Sequence, residues 1–198
     1  MQALIVQSHF HLAVFYVALV VCFAPEWIGT FFQRVEKGAQ VRDRGSHVWI
    51  FVAVGIGIAA GFFLVNANFP GTTLTWRQPL QFWIGIAVML AGLAFRWYAI
   101  KSLGRFFTRT VATRAGQYVV DTGPYRLIRH PSYTGGLLMF LGMGIAMTNW
   151  AALLAIMAGA GIGYAWRVHV EERALCADLG QPYRDYMLRT KRFVPHVW

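Results

Sequence analysis

Five apolar stretches leave this chain few folds. A helix that crosses roughly 30 Å of hydrocarbon at about 1.5 Å per residue needs about 20 mostly apolar residues. Segments at about 5–24, 47–65, 79–100, 133–147 and 151–168 approach or meet that length. The first is expected to stop at Pro25–Glu26, and the second carries the small residues Gly55, Gly57 and Gly61. The third contains Arg96 near one end, where a long side chain reaches the interface. The fourth is short, and the turn Thr148–Asn149 joins it to the fifth. Composition agrees: 57% of residues are hydrophobic and 13% charged, against roughly 45–50% and about 25% in soluble chains. Disorder and an ordinary soluble domain are both excluded. The expectation is one all-α integral membrane domain over residues 1–198, with about five transmembrane helices.

The basic residues orient it. Arg34, Lys37, Arg42 and Arg44 follow the first span, and Lys101, Arg105, Arg109, Arg114, Arg126 and Arg129 follow the third. Arg167, Arg173, Arg184, Arg189, Lys191 and Arg192 sit at the end of the fifth span and in the tail, whereas Arg77 alone lies between the second and third spans. By the positive-inside rule, the N-terminus is outside and the C-terminus cytosolic. The net charge of +10 is then mostly topology and contact with anionic lipid, and nucleic acid is not an expected partner. No basic residue precedes the first apolar run, which argues against a cleaved signal peptide. Cys22 and Cys176 are expected as free thiols. No metal-ligand spacing is present, and His9 and His11 read as interfacial.

Chemistry then has to come from the loop before the fourth span and from the tail. The run from Gly123 to Gly135 holds Tyr125, Arg126, Arg129, His130, Ser132 and Tyr133 around a turn, with Pro131 suited to the first turn of a helix. Polar side chains at a helix N-terminus, with its exposed N–H groups and positive dipole end, suit an anion. The bland reading is that the arginines anchor the helix among headgroups and His130 packs. The second cluster, Arg167 with Glu171 and Glu172, puts Arg167 and Glu171 one helical turn apart on one face. The short hairpin between these clusters brings their ends together. Each arm has about 16 residues, or roughly 24 Å, so the polar cluster is expected below the headgroup plane and open sideways to lipid. Leu175, Leu179, Tyr183, Tyr186 and Met187, interrupted by Gly180 and Pro182, suggest short amphipathic helices that serve as a lid or an interfacial anchor.

In these motifs the sequence resembles the isoprenylcysteine carboxyl methyltransferase family. The shared pattern is Gly123-x-Tyr125, then His130-Pro131-Ser132-Tyr133, then Arg167-x3-Glu171-Glu172, then Gly180-x-x-Tyr183-x-x-Tyr186, within about residues 96–195. The resemblance implies transfer of a methyl group from S-adenosylmethionine to a lipophilic, prenylated acceptor at the cytosolic face. It also implies that the cytosolic loop and tail helices form the cofactor site. Carried over by position, Tyr125, His130, Pro131, Ser132, Tyr133 and Glu171 bind cofactor. Gln117, Tyr118, Val119 and Val120 occupy a further cofactor position, where relatives often have His first. Arg167 corresponds to the arginine for the substrate carboxylate, with Arg129 and Glu172 as substrate or supporting residues. An ionised carboxylate acceptor needs no base, whereas an amine would, with His130 or Glu172 as candidates. Other readings are phospholipid amine or thiol methylation on the same fold, NADPH-dependent sterol-type reduction, or a non-catalytic membrane scaffold.

Overall fold

The computed structural model describes residues 2–32, 40–41, 43, 45–108, 112–113 and 116–195. Six basic residues used to orient the chain (Arg34, Lys37, Arg42, Arg44, Arg109 and Arg114) lie outside the described residues. A short turn of helix α1 (Leu4–Gln7) precedes α2 (His9–Phe32), α3 (Ser46–Ala67), α4 (Gln78–Leu103), α5 (Pro131–Ala146), α6 (Trp150–Leu179) and α7 (Gln181–Arg189). Among the described residues the architecture is helical apart from one two-residue ladder and two isolated bridges. In the ladder β1 (Gln40–Val41) runs antiparallel to β2 (Ala112–Thr113), joining the α2–α3 and α4–α5 connections.

Among the described residues, four segments are long and apolar enough to cross a membrane: His9–Glu26, Ser46–Ala67, Gln78–Phe106 and Trp150–Leu179. The chain is a multi-pass membrane protein. α5, the fourth expected span, is apolar but has only 16 residues, about 24 Å at helical rise. Two boundaries differ from expectation. Pro25 does not end the first helix, which continues through it to Phe32. Proline removes one backbone hydrogen bond, but the next residue, Glu26, is clamped by Arg96 Nε and Nη2, each at 2.8 Å. α6 runs eleven residues beyond Val168, ending only where Gly180 adopts φ +64. Its last turns carry Glu171 and Glu172.

The helices pack as two intimate pairs, α4 on α5 and α3 on α6. Small residues permit both. A Cβ on Gly159 would meet the Ala53 carbonyl oxygen at 2.5 Å, and one on Gly142 would meet the Met89 nitrogen at 2.4 Å. Close backbone approach of this kind is the usual role of glycine between membrane helices. Phe15, Phe82, Met89, Met139, Met143 and Ile156 fill the interior. One end of the bundle is knitted around Thr148 and Asn149. Leu4 N donates to Thr148 Oγ1 at 3.1 Å, Leu74 N to the Thr148 carbonyl at 2.9 Å, and Ala152 N to Asn149 Oδ1 at 3.0 Å. The opposite end holds the polar cluster. Cys22 and Cys176 are both free.

Candidate active site

The polar end starts from a chain reversal. Gly123 takes φ +57 and opens a 3-10 turn through Arg126 that buries Pro124 and Tyr125. The next residues run beside the returning tail. Arg129 N donates to the Lys191 carbonyl at 2.7 Å and His130 N to that of Arg192 at 3.0 Å. His130 stands at the start of α5 with Pro131 as its first helical residue. Thr134 Oγ1 reaches the Phe193 carbonyl at 2.9 Å, so the tail is stitched to the N-terminus of α5. α7 closes from another side, with the Tyr186 hydroxyl donating to the Tyr125 carbonyl at 2.7 Å.

Two buried networks hold the site. In the first, Glu172 accepts from Arg129 Nε at 2.9 Å and Arg192 Nη2 at 2.8 Å, and meets His130 Nε2 at 3.3 Å. Arg129 also donates to the carbonyls of Met187 and Thr190. This hub ties α5, α6 and the tail together. In the second, the Tyr133 hydroxyl donates to Glu171 Oε2 at 2.6 Å and accepts from Arg167 Nε at 3.2 Å. The expected neighbours Arg167 and Glu171 are thus joined through a phenol. Arg167 Nη1 donates to Asp43 Oδ1 and, at 2.7 Å, to Ser46 Oγ. Behind both networks, Arg96 Nη1 donates to the Ser132 carbonyl at 2.8 Å. His130 lies nearly parallel to Tyr133, with ring centroids 5.6 Å apart.

Two cavities meet at Tyr133 and Arg167. One is a polar cleft of about 80 Å³. Gln117, Tyr118, Val119, Val120, Tyr125, His130, Ser132, Tyr133 and Glu171 all line it, together with Arg129, Arg167, Tyr183 and Tyr186. Pro131, expected beside them, is buried as the first residue of α5. Glu172 lies behind the cleft in its ion-pair hub and supports the wall; it is not among the lining residues. Burial pushes the phenols of Tyr125, Tyr183 and Tyr186 above the ordinary tyrosine range, with Glu171 adding to the shift at Tyr125 and Tyr183. They remain neutral hydrogen-bond donors at any physiological pH. The second cavity, about 490 Å³, is lined mainly by apolar residues of α2, α3, α5 and α6, among them Phe23, Val54, Ile58 and Phe140. Phe107, Thr108, Tyr133 and Arg167 line both cavities.

Residues 80–181 match the family model described as phospholipid methyltransferase, just over half of the chain. The chain belongs to the phospholipid methyltransferase family. Among individual proteins, it is 31% identical over 134 residues to protein-S-isoprenylcysteine O-methyltransferase B of Arabidopsis thaliana, covering 65% of each chain. It is 29% identical over 139 residues to the protein-S-isoprenylcysteine O-methyltransferase of Tribolium castaneum, 69% of this chain and 48% of that one. It is 34% identical over 125 residues to the cobalt-zinc-cadmium resistance protein CzcN of Cupriavidus metallidurans, 62% of this chain and 53% of that one. The chain therefore spans about half to two thirds of the length of these relatives. Its fold is that of a solved eukaryotic intramembrane Ras methyltransferase, isoprenylcysteine carboxyl methyltransferase, with a TM-score of 0.62 at 23% identity over 95% of this chain and 63% of that one. The motif resemblance to isoprenylcysteine methyltransferases is carried by these matches.

Several members of the site went unread in the sequence. Asp43 comes from the α2–α3 connection, Ser46 from the first turn of α3 and Glu26 from α2, all far from the motifs. Asp43 accepts locally from His47 N at 3.2 Å in the first turn of α3, a contact that says nothing of Arg167. Arg192 was visible only as tail charge, and Phe107 and Thr108 carried no signal.

Proposed function

We propose that this chain is an S-adenosylmethionine-dependent membrane methyltransferase that acts, like the isoprenylcysteine carboxyl O-methyltransferases, on a lipophilic acceptor at the cytosolic face. The observation that carries the reading is the meeting of a polar cleft and an apolar cavity at Phe107, Thr108, Tyr133 and Arg167. A water-soluble ligand in the first and an apolar-tailed ligand in the second would present their ends to each other beside an arginine. The positive-inside distribution, which favours five spans and a cytosolic C-terminus, supports the orientation.

The lining chemistry of the cleft fits the cofactor. Glu171 offers a carboxylate to ribose hydroxyls or an ammonium group. The rings of Tyr125, Tyr183 and Tyr186 offer faces to a cation. The 117–120 segment forms part of one wall. Small-molecule sites enclose roughly 300–1,000 Å³, so a cleft of about 80 Å³ has to widen between that segment and α7 on binding. The apolar cavity is already of ligand size.

S-adenosylmethionine, when bound, supplies an electrophilic methyl group; the chain's own residues bind, orient and exclude water. Arg167 holds the acceptor carboxylate, which is ionised near pH 7 and needs no base. Orientation of this kind can supply roughly 7–11 kcal/mol of the barrier. The second reading, methylation of a phospholipid amine, draws on the description of the matching family. It requires a proton acceptor. Glu172 is committed to two arginines and His130 faces Glu172, and both arrangements favour the carboxylate.

The deciding experiment adds labelled S-adenosylmethionine to purified protein with a farnesylcysteine analogue or with phosphatidylethanolamine. Base-labile label in the farnesylated acceptor is the expected result. Label in the lipid amine alone would select the second reading, and no thermal stabilisation by S-adenosylhomocysteine would refute both.

A further inference from the structure

The guanidinium expected to receive the acceptor is already engaged. Asp43 Oδ1 accepts from Arg167 Nη1, and the side chains are only 14% and 4% exposed, so water screens the pair weakly. Asp43 is itself fixed. Its Oδ1 accepts from Ser46 Oγ at 2.8 Å, its Oδ2 from His47 N at 3.2 Å, and its carbonyl from Ser46 N at 2.9 Å. These bonds secure it to the start of α3. Arg167 still lines the apolar cavity, as do Tyr133 and His47.

From this geometry we propose that Asp43 is the resident counter-anion of Arg167. It is a positioning residue that sets how strongly the site prefers an anionic acceptor over an uncharged one. The inference rests on the reading of Arg167 as the acceptor-binding residue. An incoming carboxylate shares the arginine with Asp43 and meets its negative charge at short range in a weakly screened space. A membrane offers many apolar anions, and an arginine without a counter-anion would bind them indiscriminately. With Asp43 in place, charge alone secures little affinity. Discrimination then falls to the apolar part of the ligand, which fills the 490 Å³ cavity.

The test compares binding of a prenyl thioether carboxylate with binding of its carboxamide, by calorimetry on the whole purified chain. Asp43→Asn keeps an oxygen for the cap and removes the charge. It should raise the carboxylate-to-carboxamide affinity ratio about tenfold over wild type. Asp43→Glu keeps the negative charge beside Arg167 and should leave the ratio near that of wild type. An unaltered ratio in Asp43→Asn, equal weakening of both ligands, or an equal rise in Asp43→Glu would each overturn the inference. Methyl transfer is measured in parallel. A shifted ratio without transfer to either acceptor would refute the methyltransferase reading and leave the role of Asp43 intact.

Discussion

The Tyr133 hydroxyl stands 2.6 Å from Glu171, as donor to its carboxylate. It also accepts from Arg167 Nε at 3.2 Å, so Tyr133 is hydrogen-bonded to both the expected cofactor carboxylate and the expected acceptor arginine. Its ring lines both cavities.

Tyr133→Phe removes the hydroxyl and keeps the ring contact with His130. A hydrogen bond to a charged group is worth about 1.5–3 kcal/mol, so turnover should fall roughly 10- to 100-fold. Cofactor affinity should weaken as well, because Glu171 loses its donor. Steady-state kinetics with calorimetry on S-adenosylhomocysteine would read both, and wild-type turnover would show that the hydroxyl does no work.

Arg167→Lys and Arg167→Ala separate charge from geometry. Lysine keeps the charge opposite Asp43 but loses the planar fork, and misalignment by about 1 Å can cost about 100-fold in rate. Both variants should lose that much turnover while S-adenosylhomocysteine still binds. Alanine should also lower the melting temperature, since it leaves Asp43 buried without this partner. If cofactor binding disappears in Arg167→Lys, the division of roles is wrong.

Glu172→Gln tests the hub. Arg129, with a 9% exposed side chain, loses its carboxylate, and breaking a buried pair costs about 3–5 kcal/mol. The tail should loosen from α5, with faster hydrogen exchange over residues 181–195 and weaker cofactor binding. Unchanged exchange there would separate the hub from tail docking.

Two glycines of α6 should behave oppositely. A Cβ on Gly159 would meet backbone atoms of Ala53 and Gly57 at 2.5 and 2.9 Å, whereas Gly161 has nothing within 4 Å. Gly159→Ala should destabilise the α3–α6 pair by about 1–3 kcal/mol. Gly161→Ala should be neutral or stabilising by up to about 1 kcal/mol. Thermal melts in one detergent would compare them, and equal melting temperatures would contradict the close packing.

Helix positions were legible because membrane crossing demands length and apolarity, both local properties. Ser46–Ala67 and Gln78–Leu103 lie within a few residues of the expected spans. The helix through Pro25 was illegible, because the proline rule is local while the clamp on Glu26 comes from Arg96 in a distant helix. The motif residues 117–120, 125, 130, 132, 133 and 171 were all readable, and they gather around one cleft. Their partners were not. Asp43 and Arg167 lie 124 positions apart, and no spacing rule pairs a helix-cap aspartate with an arginine across a bundle. Sequence by itself determined which segments form long apolar helices and which residue types stand ready at the polar end, since both follow from local composition and order. Only the tertiary structure decided that Glu172 faces arginines behind the cleft, that Asp43 pairs with Arg167, and that an apolar cavity opens onto Tyr133. Each of these depends on which helix faces which, and that is set by close packing at glycines and by charges seeking partners away from water.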